Sequence, residues 1–306
     1  MKKGVGVCNA KVILMGEHSV VYGHKAIALP FKGAQIKVII TSGNDEFTSQ
    51  IYSGSIANMP DESSHIQQLI FYLRKKLNQN EKLSIQVTSN ILPSRGMGSS
   101  AAIANALIRA FFDYHELPLD DEILFHFSMY AEKIAHGTPS GIDSLATASQ
   151  YPIIFKKNQP PEYIRMNLPG YLVVGDCGIE GSTLEAVRDV RNLVEFADGK
   201  QHIDQLALLS HQFIEAMTKS DINRCGHLMN QAQYHLEKLT VSHSSIDRMI
   251  KLAMDSNALG TKLTGGGRGG CVISLVDDLS TAEVIIRKWK ETISSSVWLM
   301  KLDEEM

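Results

Sequence analysis

The sequence predicts a protein of two α+β domains, and three observations carry that expectation. Its 306 residues amount to about two domains at roughly 150 residues each. Residues 1–90 read mainly as strands, and helical periodicity takes over only after Pro93. Past residue 165, strands bracket a long helical block, the order expected of a second sheet with helices on one face.

In chain order, apolar runs and alternation predict strands at Val12–Met15, Ala26–Pro30, Ile36–Thr41 and Ser84–Thr88, interrupted by one helix at Ile66–Leu77. Helices follow at Ser99–Phe112 and Asp120–Ala135, the second opened by Asp120, Asp121 and Glu122, whose charges suit a helix start. Pro152–Phe155 reads as one more strand. The polar, proline-containing segment Lys156–Glu162 then suits a connection, which places the boundary near residue 165 and divides the chain into residues 1–165 and 166–306. The second part predicts a strand at Tyr171–Gly175, four helices between Ser182 and Ser256, and a strand pair around Gly265–Gly270. A helix from Thr281 and a closing strand at Val297–Leu302 complete it.

Composition excludes several classes. A hydrophobic share of 44% with 21% charged residues is that of a globular chain. The net charge of −3 comes from interspersed acids and bases with no basic block, so nucleic acid is not an expected partner. Cys8, Cys177, Cys225 and Cys271 stand singly, without metal-ligand spacing or a disulfide framework, which fits a reduced, cytoplasmic setting. The amino terminus lacks the apolar run of a signal peptide, and no uncharged apolar stretch approaches the ~20 residues of a membrane span. A soluble protein without a membrane partner is expected.

The most informative turn is Pro93-Ser94-Arg95-Gly96-Met97-Gly98-Ser99-Ser100-Ala101-Ala102, which leads from a strand into an apolar helix. Glycines allow close backbone approach, the first helical N–H groups lack intrahelical acceptors, and the helix dipole favours an anion there. A plain helix cap by Ser99 or Ser100 is the simpler alternative. No Walker A sequence occurs. A second run, Gly265-Gly266-Gly267-Arg268-Gly269-Gly270, matches Gly-x-Gly-x-x-Gly but precedes the strand-like Cys271–Leu275, so a hairpin loop is expected and not a dinucleotide-binding turn.

These two segments, together with Lys11-Val12-Ile13-Leu14-Met15-Gly16-Glu17-His18-Ser19-Val20-Val21-Tyr22-Gly23 and the segment from Glu132 to Asp143, resemble the GHMP small-molecule kinases, and among them the compact bacterial mevalonate kinases. The resemblance spans residues 4–275. It departs from many members at Asn9-Ala10, where they carry Pro-Gly before the lysine; galactokinases continue differently after Gly-Glu-His. It implies a two-domain GHMP kinase fold, with an active-site cleft between a nucleotide-binding first domain and a ferredoxin-like second one. It further implies ATP as co-substrate, Mg²⁺, and mevalonate as the small-molecule acceptor, phosphorylated to 5-phosphomevalonate. Alternatives are another acceptor (phosphomevalonate, a sugar or homoserine) and a non-catalytic metabolite sensor. A homodimer is left open.

Residue by residue, the resemblance implies Asp143 as proton acceptor with Lys11 beside it, and residues 93–102 as the ATP phosphate turn. Ser100 and Glu132 become metal ligands, oxygen donors of the kind Mg²⁺ prefers, with Ser99 as a substitute for Ser100. Glu17, His18 and Thr183 are placed at the acceptor, although Ser182 could simply cap its helix. Arg95 and Arg268 suit either phosphate or solvent.

Overall fold

The computed structural model describes residues 2–91, 93–137, 139–293 and 296–302. In place of one boundary near residue 165, the chain passes several times between two compact units. One comprises Met1–Lys11, Pro30–Pro93 and Gly98–Ser149; the other comprises Val12–Leu29, Ser94–Met97 and Gln150–Met306. The division is discontinuous because the two long strands β1 (Lys3–Met15) and β2 (Ala26–Ser42) each contribute residues to both.

Both strands outrun their sequence patterns for physical reasons. Residues 26–28 of β2 pair with β6 (Ile153–Phe155), and residues 36–42 pair with β5 (Leu83–Ser89). Pro30 falls between these ladders, where its missing N–H is tolerated and the strand need not end. The glycines of β1 break the alternation because a neighbour lies close. A Cβ at Gly6 would sit 1.9 Å from the Ala106 carbonyl oxygen of helix α2 (Ser99–Tyr114).

In the first unit, β5 also pairs in parallel with β3 (Glu46–Thr48), which pairs with β4 (Ser53–Ser55). Helices α1 (Ser64–Lys76), α2 and α3 (Asp121–His136) supply Leu69, Leu73, Phe111 and Phe127 to the core beside Val38, Ile40 and Ile85. Asp120 caps α3 by accepting the Ile123 amide. A short helix, α4 (Ile142–Ala148), was not legible as an element in the sequence.

In the second unit, β6 pairs with β7 (Glu162–Tyr163). A separate antiparallel sheet has the order β11-β8-β10-β9, formed by Val297–Lys301, Tyr171–Asp176, Cys271–Val276 and Gly260–Thr264. With helices α5 (Thr183–Val194), α6 (Ala197–Thr218), α7 (Ile222–Lys238) and α8 (Ser244–Met254) between its first two strands and α9 (Leu279–Thr292) before its last, this is the ferredoxin-like arrangement. Trp289 of α9 and Met249 of α8 pack against Gly175 on one face. The other face is not open: Lys262 and Thr264 of β9 meet Glu17 and the Ile13 backbone. Among the described residues, no helix is long and apolar enough to cross a membrane.

Candidate active site

The phosphate turn enters α2 through Gly98, whose φ of 71° and ψ of 33° are left-handed, and no side chain caps the helix. Neither serine is therefore the expected cap. The first i→i−4 bond runs from Ala102 N–H to the Gly98 carbonyl, so the amides of Ser99, Ser100 and Ala101 precede the ladder. Ala101, Ala102 and Met97 bury their side chains, which leaves backbone and serine hydroxyls as the groups able to meet an anion.

Ser100 Oγ donates instead to Glu132 Oε1 of α3 at 2.7 Å. Glu132 is buried, and desolvation raises its carboxyl pKa above the usual range, with the Ser100 hydrogen bond opposing and the nearby Asp143 charge adding to the rise. These two oxygens, brought together from segments 32 residues apart, form a donor set that fits a hard divalent cation. Among the described residues no cluster of three or more His, Cys, Asp or Glu side chains could hold a metal alone; two protein oxygens suit an ion whose other ligands come from phosphate and water.

The expected catalytic pair also forms within this unit. Lys11 Nζ of β1 lies 2.9 Å from Asp143 Oδ1 of α4, with the lysine side chain 3% exposed and the aspartate 37%. Glycine at 98 leaves room for the lysine stem, since a Cβ there would approach Lys11 Cγ to 2.9 Å. Asp143 rides on a helix of only seven residues, too short to hold itself, and side chains fasten its carbonyls. Asn105 Nδ2 donates to Ser144 O at 3.0 Å and to Thr147 Oγ1 at 2.9 Å, Cys8 Sγ to Thr147 O at 2.9 Å, and Arg109 Nη2 to Ala148 O at 2.7 Å. Arg109 also places a cation at the helix C-terminus. Sequence reasoning missed Asn105 and Arg109; the one available signal was a polar pair inside an otherwise apolar helix.

The second unit gathers the other predicted residues. His18 holds φ 59° and ψ −44°, and its Nε2 lies 3.0 Å from the Gly266 carbonyl. Burial drives the imidazole pKa down to about 4, so the ring is neutral near pH 7. Nε2 then donates, and the buried Nδ1, which has no protein partner, remains a lone-pair acceptor. Gly266 touches Thr183 as well, because a Cβ there would lie 2.6 Å from Thr183 Oγ1. His18 and the exposed Thr183 thus flank one glycine. Ser182 caps α5 through the Glu185 amide, as the simpler alternative for that segment predicts. Glu17, expected at the acceptor, is instead enclosed against Lys262.

The glycine run 265–270 is the hairpin loop between β9 and β10. Besides Gly266 on Thr183, its close approaches include protein backbone: Gly265 to Gly96, Gly270 to Arg95, and Gly267 to Val241. Residues 94–97 of the phosphate turn therefore rest directly on this second loop. Arg268 pairs with Asp189 and Arg95 lies beside Asp176, so both guanidinium groups have protein carboxylates for neighbours. Asp176 is buried, which raises its pKa, and nothing in the local sequence marked it as the partner of Arg95.

Two family models match the chain, the GHMP kinases N terminal domain over residues 64–150 and the GHMP kinases C terminal over residues 213–295. A mevalonate kinase of Aeropyrum pernix is 33% identical over 279 residues, covering 87% of this chain and 86% of that one. The chain belongs to the mevalonate kinase family of GHMP kinases. The mevalonate kinase structure from methicillin-resistant Staphylococcus aureus is 31% identical, with a TM-score of 0.79 over 99% of this chain and all of its own. The L. major mevalonate kinase, solved in complex with R-mevalonate, is 26% identical with a TM-score of 0.82, covering 99% of this chain and 96% of its own. As a GHMP kinase, the chain is an ATP user.

Proposed function

We propose that this member of the mevalonate kinase family transfers the γ-phosphoryl group of ATP to the 5-hydroxyl of (R)-mevalonate, giving ADP and 5-phosphomevalonate. The observation that carries the chemistry is the Lys11–Asp143 pair, a buried ammonium beside a carboxylate that stays partly exposed.

Phosphoryl transfer needs an oriented hydroxyl, neutralised phosphate charge and a proton acceptor. In the step, the hydroxyl oxygen bonds to the γ-phosphorus as the bond to the β-phosphate oxygen breaks, and the hydroxyl proton passes to Asp143. A carboxylate is too weak a base to ionise an alcohol beforehand. Asp143 therefore orients the hydroxyl and takes its proton late. Lys11 fixes that carboxylate's orientation through the ion pair and places positive charge by the attacking oxygen. The amides of Ser99, Ser100 and Ala101 bind phosphate oxygens, assisted by the α2 dipole. Ser100 and Glu132 would hold Mg²⁺, which supplies charge neutralisation across the β- and γ-phosphates when bound.

In the second unit, a neutral His18 with a free Nδ1 lone pair suits an alcohol O–H and not a carboxylate, and Thr183 offers a hydroxyl nearby. The four cysteines are buried and none is in a disulfide, which supports a reducing cytoplasmic setting. The test is a coupled ADP-release assay with mevalonate, phosphomevalonate, galactose and homoserine. Turnover of mevalonate is expected; inactivity on it with clear turnover of another alcohol would replace the acceptor assigned here.

A further inference from the structure

Three contacts at alternate residues join β9 and its glycine loop to the end of β1 and to the turn after it that carries His18. The Lys262 ammonium reaches the Glu17 carboxylate. The Thr264 hydroxyl accepts the Ile13 N–H at 2.9 Å and donates to the Ile13 carbonyl at 3.0 Å. The Gly266 carbonyl accepts from His18 Nε2 at 3.0 Å. Lys262 and Thr264 share a strand face because side chains alternate, so the three contacts form one seam.

Within that seam the ion pair is the unusual member. Lys262 is 0% exposed and Glu17 is 1% exposed, a burial that lysine and glutamate almost never show unless paired. Stability alone does not account for them, since a buried pair exchanged for apolar side chains of similar volume often leaves a fold equally or more stable. What an apolar pair lacks is direction. Lys262 Nζ also donates to the Leu263 carbonyl at 2.7 Å, so the ammonium is held from β9 and in turn fixes the carboxylate. Glu17 is the peptide neighbour of His18, whose positive φ is unfavourable for a residue with a Cβ. Such a conformation persists where its surroundings over-determine it.

We propose that the Lys262–Glu17 pair is a positioning device for the acceptor alcohol: it holds His18 in its strained backbone conformation, with Nε2 on Gly266 and Nδ1 presented to a substrate hydroxyl. Lys262 and Glu17 are positioning residues and do not themselves touch the substrate. The inference rests on His18 lying at the acceptor, as assigned above, and it adds Lys262 to the residues that set acceptor affinity.

The test compares three full-length variants with the native enzyme by thermal unfolding and by KM for mevalonate and ATP. Lys262→Met is expected to unfold at lower temperature, because it removes the ammonium from beside a buried carboxylate. The double variant Glu17→Met/Lys262→Met removes both charges at similar volume and regains thermal stability. Its KM for mevalonate nevertheless rises about tenfold or more, as small misplacements of binding groups allow, while KM for ATP stays within about twofold. A folded double variant with native KM values would show that the pair only balances charge, and would overturn the proposal. Glu17→Asp, which keeps the charge and shortens the reach by one methylene, decides the matter if the double variant does not fold: a raised mevalonate KM supports positioning, an unchanged one overturns it. Should the native enzyme prefer another alcohol, the same comparison is made with that alcohol, so a wrong acceptor assignment is separable from a wrong role for the pair.

Discussion

Lys11 Nζ and Asp143 Oδ1 stand 2.9 Å apart, the lysine enclosed and the aspartate reaching solvent. That asymmetry gives the aspartate a fixed orientation and a partly exposed side chain, the two properties a late proton acceptor needs.

Asp143→Asn keeps the size of the side chain and removes its ability to take a proton. Its kcat is expected to fall by about 10²–10⁴, the range for a positioned general base, while ATP affinity measured by calorimetry remains near native. Near-native turnover would remove Asp143 from the chemistry.

Gly98→Ala acts on the same pair from outside it. The residue has φ 71° and its new Cβ would press on Lys11 Cγ. The left-handed backbone alone costs about 1–2 kcal/mol, visible in urea unfolding. A loss of kcat in the fully folded variant is expected in addition, because the lysine stem must move.

Glu132→Gln tests the metal assignment. Its Mg²⁺ concentration for half-maximal activity should rise at least about tenfold, with Ser100→Ala showing a smaller effect, and chelation by EDTA should abolish native turnover. A native Mg²⁺ requirement in Glu132→Gln would place the ion elsewhere.

Asn105→Ala leaves the Ser144 carbonyl and the Thr147 hydroxyl without their buried donor. A stability loss of about 1–3 kcal/mol is expected from the two buried hydrogen bonds removed, together with reduced kcat at unchanged ATP affinity, since α4 carries Asp143.

Acid should destabilise the protein in a defined window. Burial lowers the pKa of both His18 and His65 to about 4 from the ordinary histidine value of 6.5. Between those values the unfolded chain binds more protons, so stability is complete above about pH 6.5 and is lost as pH falls towards 4. A shift of this size corresponds to about 3 kcal/mol for the fully enclosed His18. Urea unfolding at pH 7, 5.5 and 4.5 measures the slope, and His65→Gln should flatten it. An unchanged slope in His65→Gln would contradict the desolvation of the His65 ring.

Helix positions with strong periodicity were legible in the sequence: α2 and α3 match their predicted spans within two residues at each end. The short α4 was not, because seven residues offer less than two full periods. Nor was the continuity of β2, since Pro30 ends a strand in any local reading and only the separate ladders on either side of it make it harmless. The helices of the second unit were expected on one sheet face. The opposite face was not foreseen to be covered, because its cover comes from residues 12–29, far away in the chain.

By itself the sequence determined the chemical inventory: Lys11, Ser100, Glu132 and Asp143 beside glycines that admit an anion, in an order that marks the mevalonate kinase family. These are local properties, carried by residue type and spacing. The folded chain forms the pairings: it sets Lys11 against Asp143 and Ser100 against Glu132, the neighbours the resemblance implied, and it alone disclosed Glu17 against Lys262 across 245 residues of chain. It also decided that Glu17, outwardly a substrate ligand, is enclosed while Asp143 is not. The physical reason is that desolvation and Coulomb attraction depend on distance in space, and no local pattern of side chains states which charge will be buried beside which.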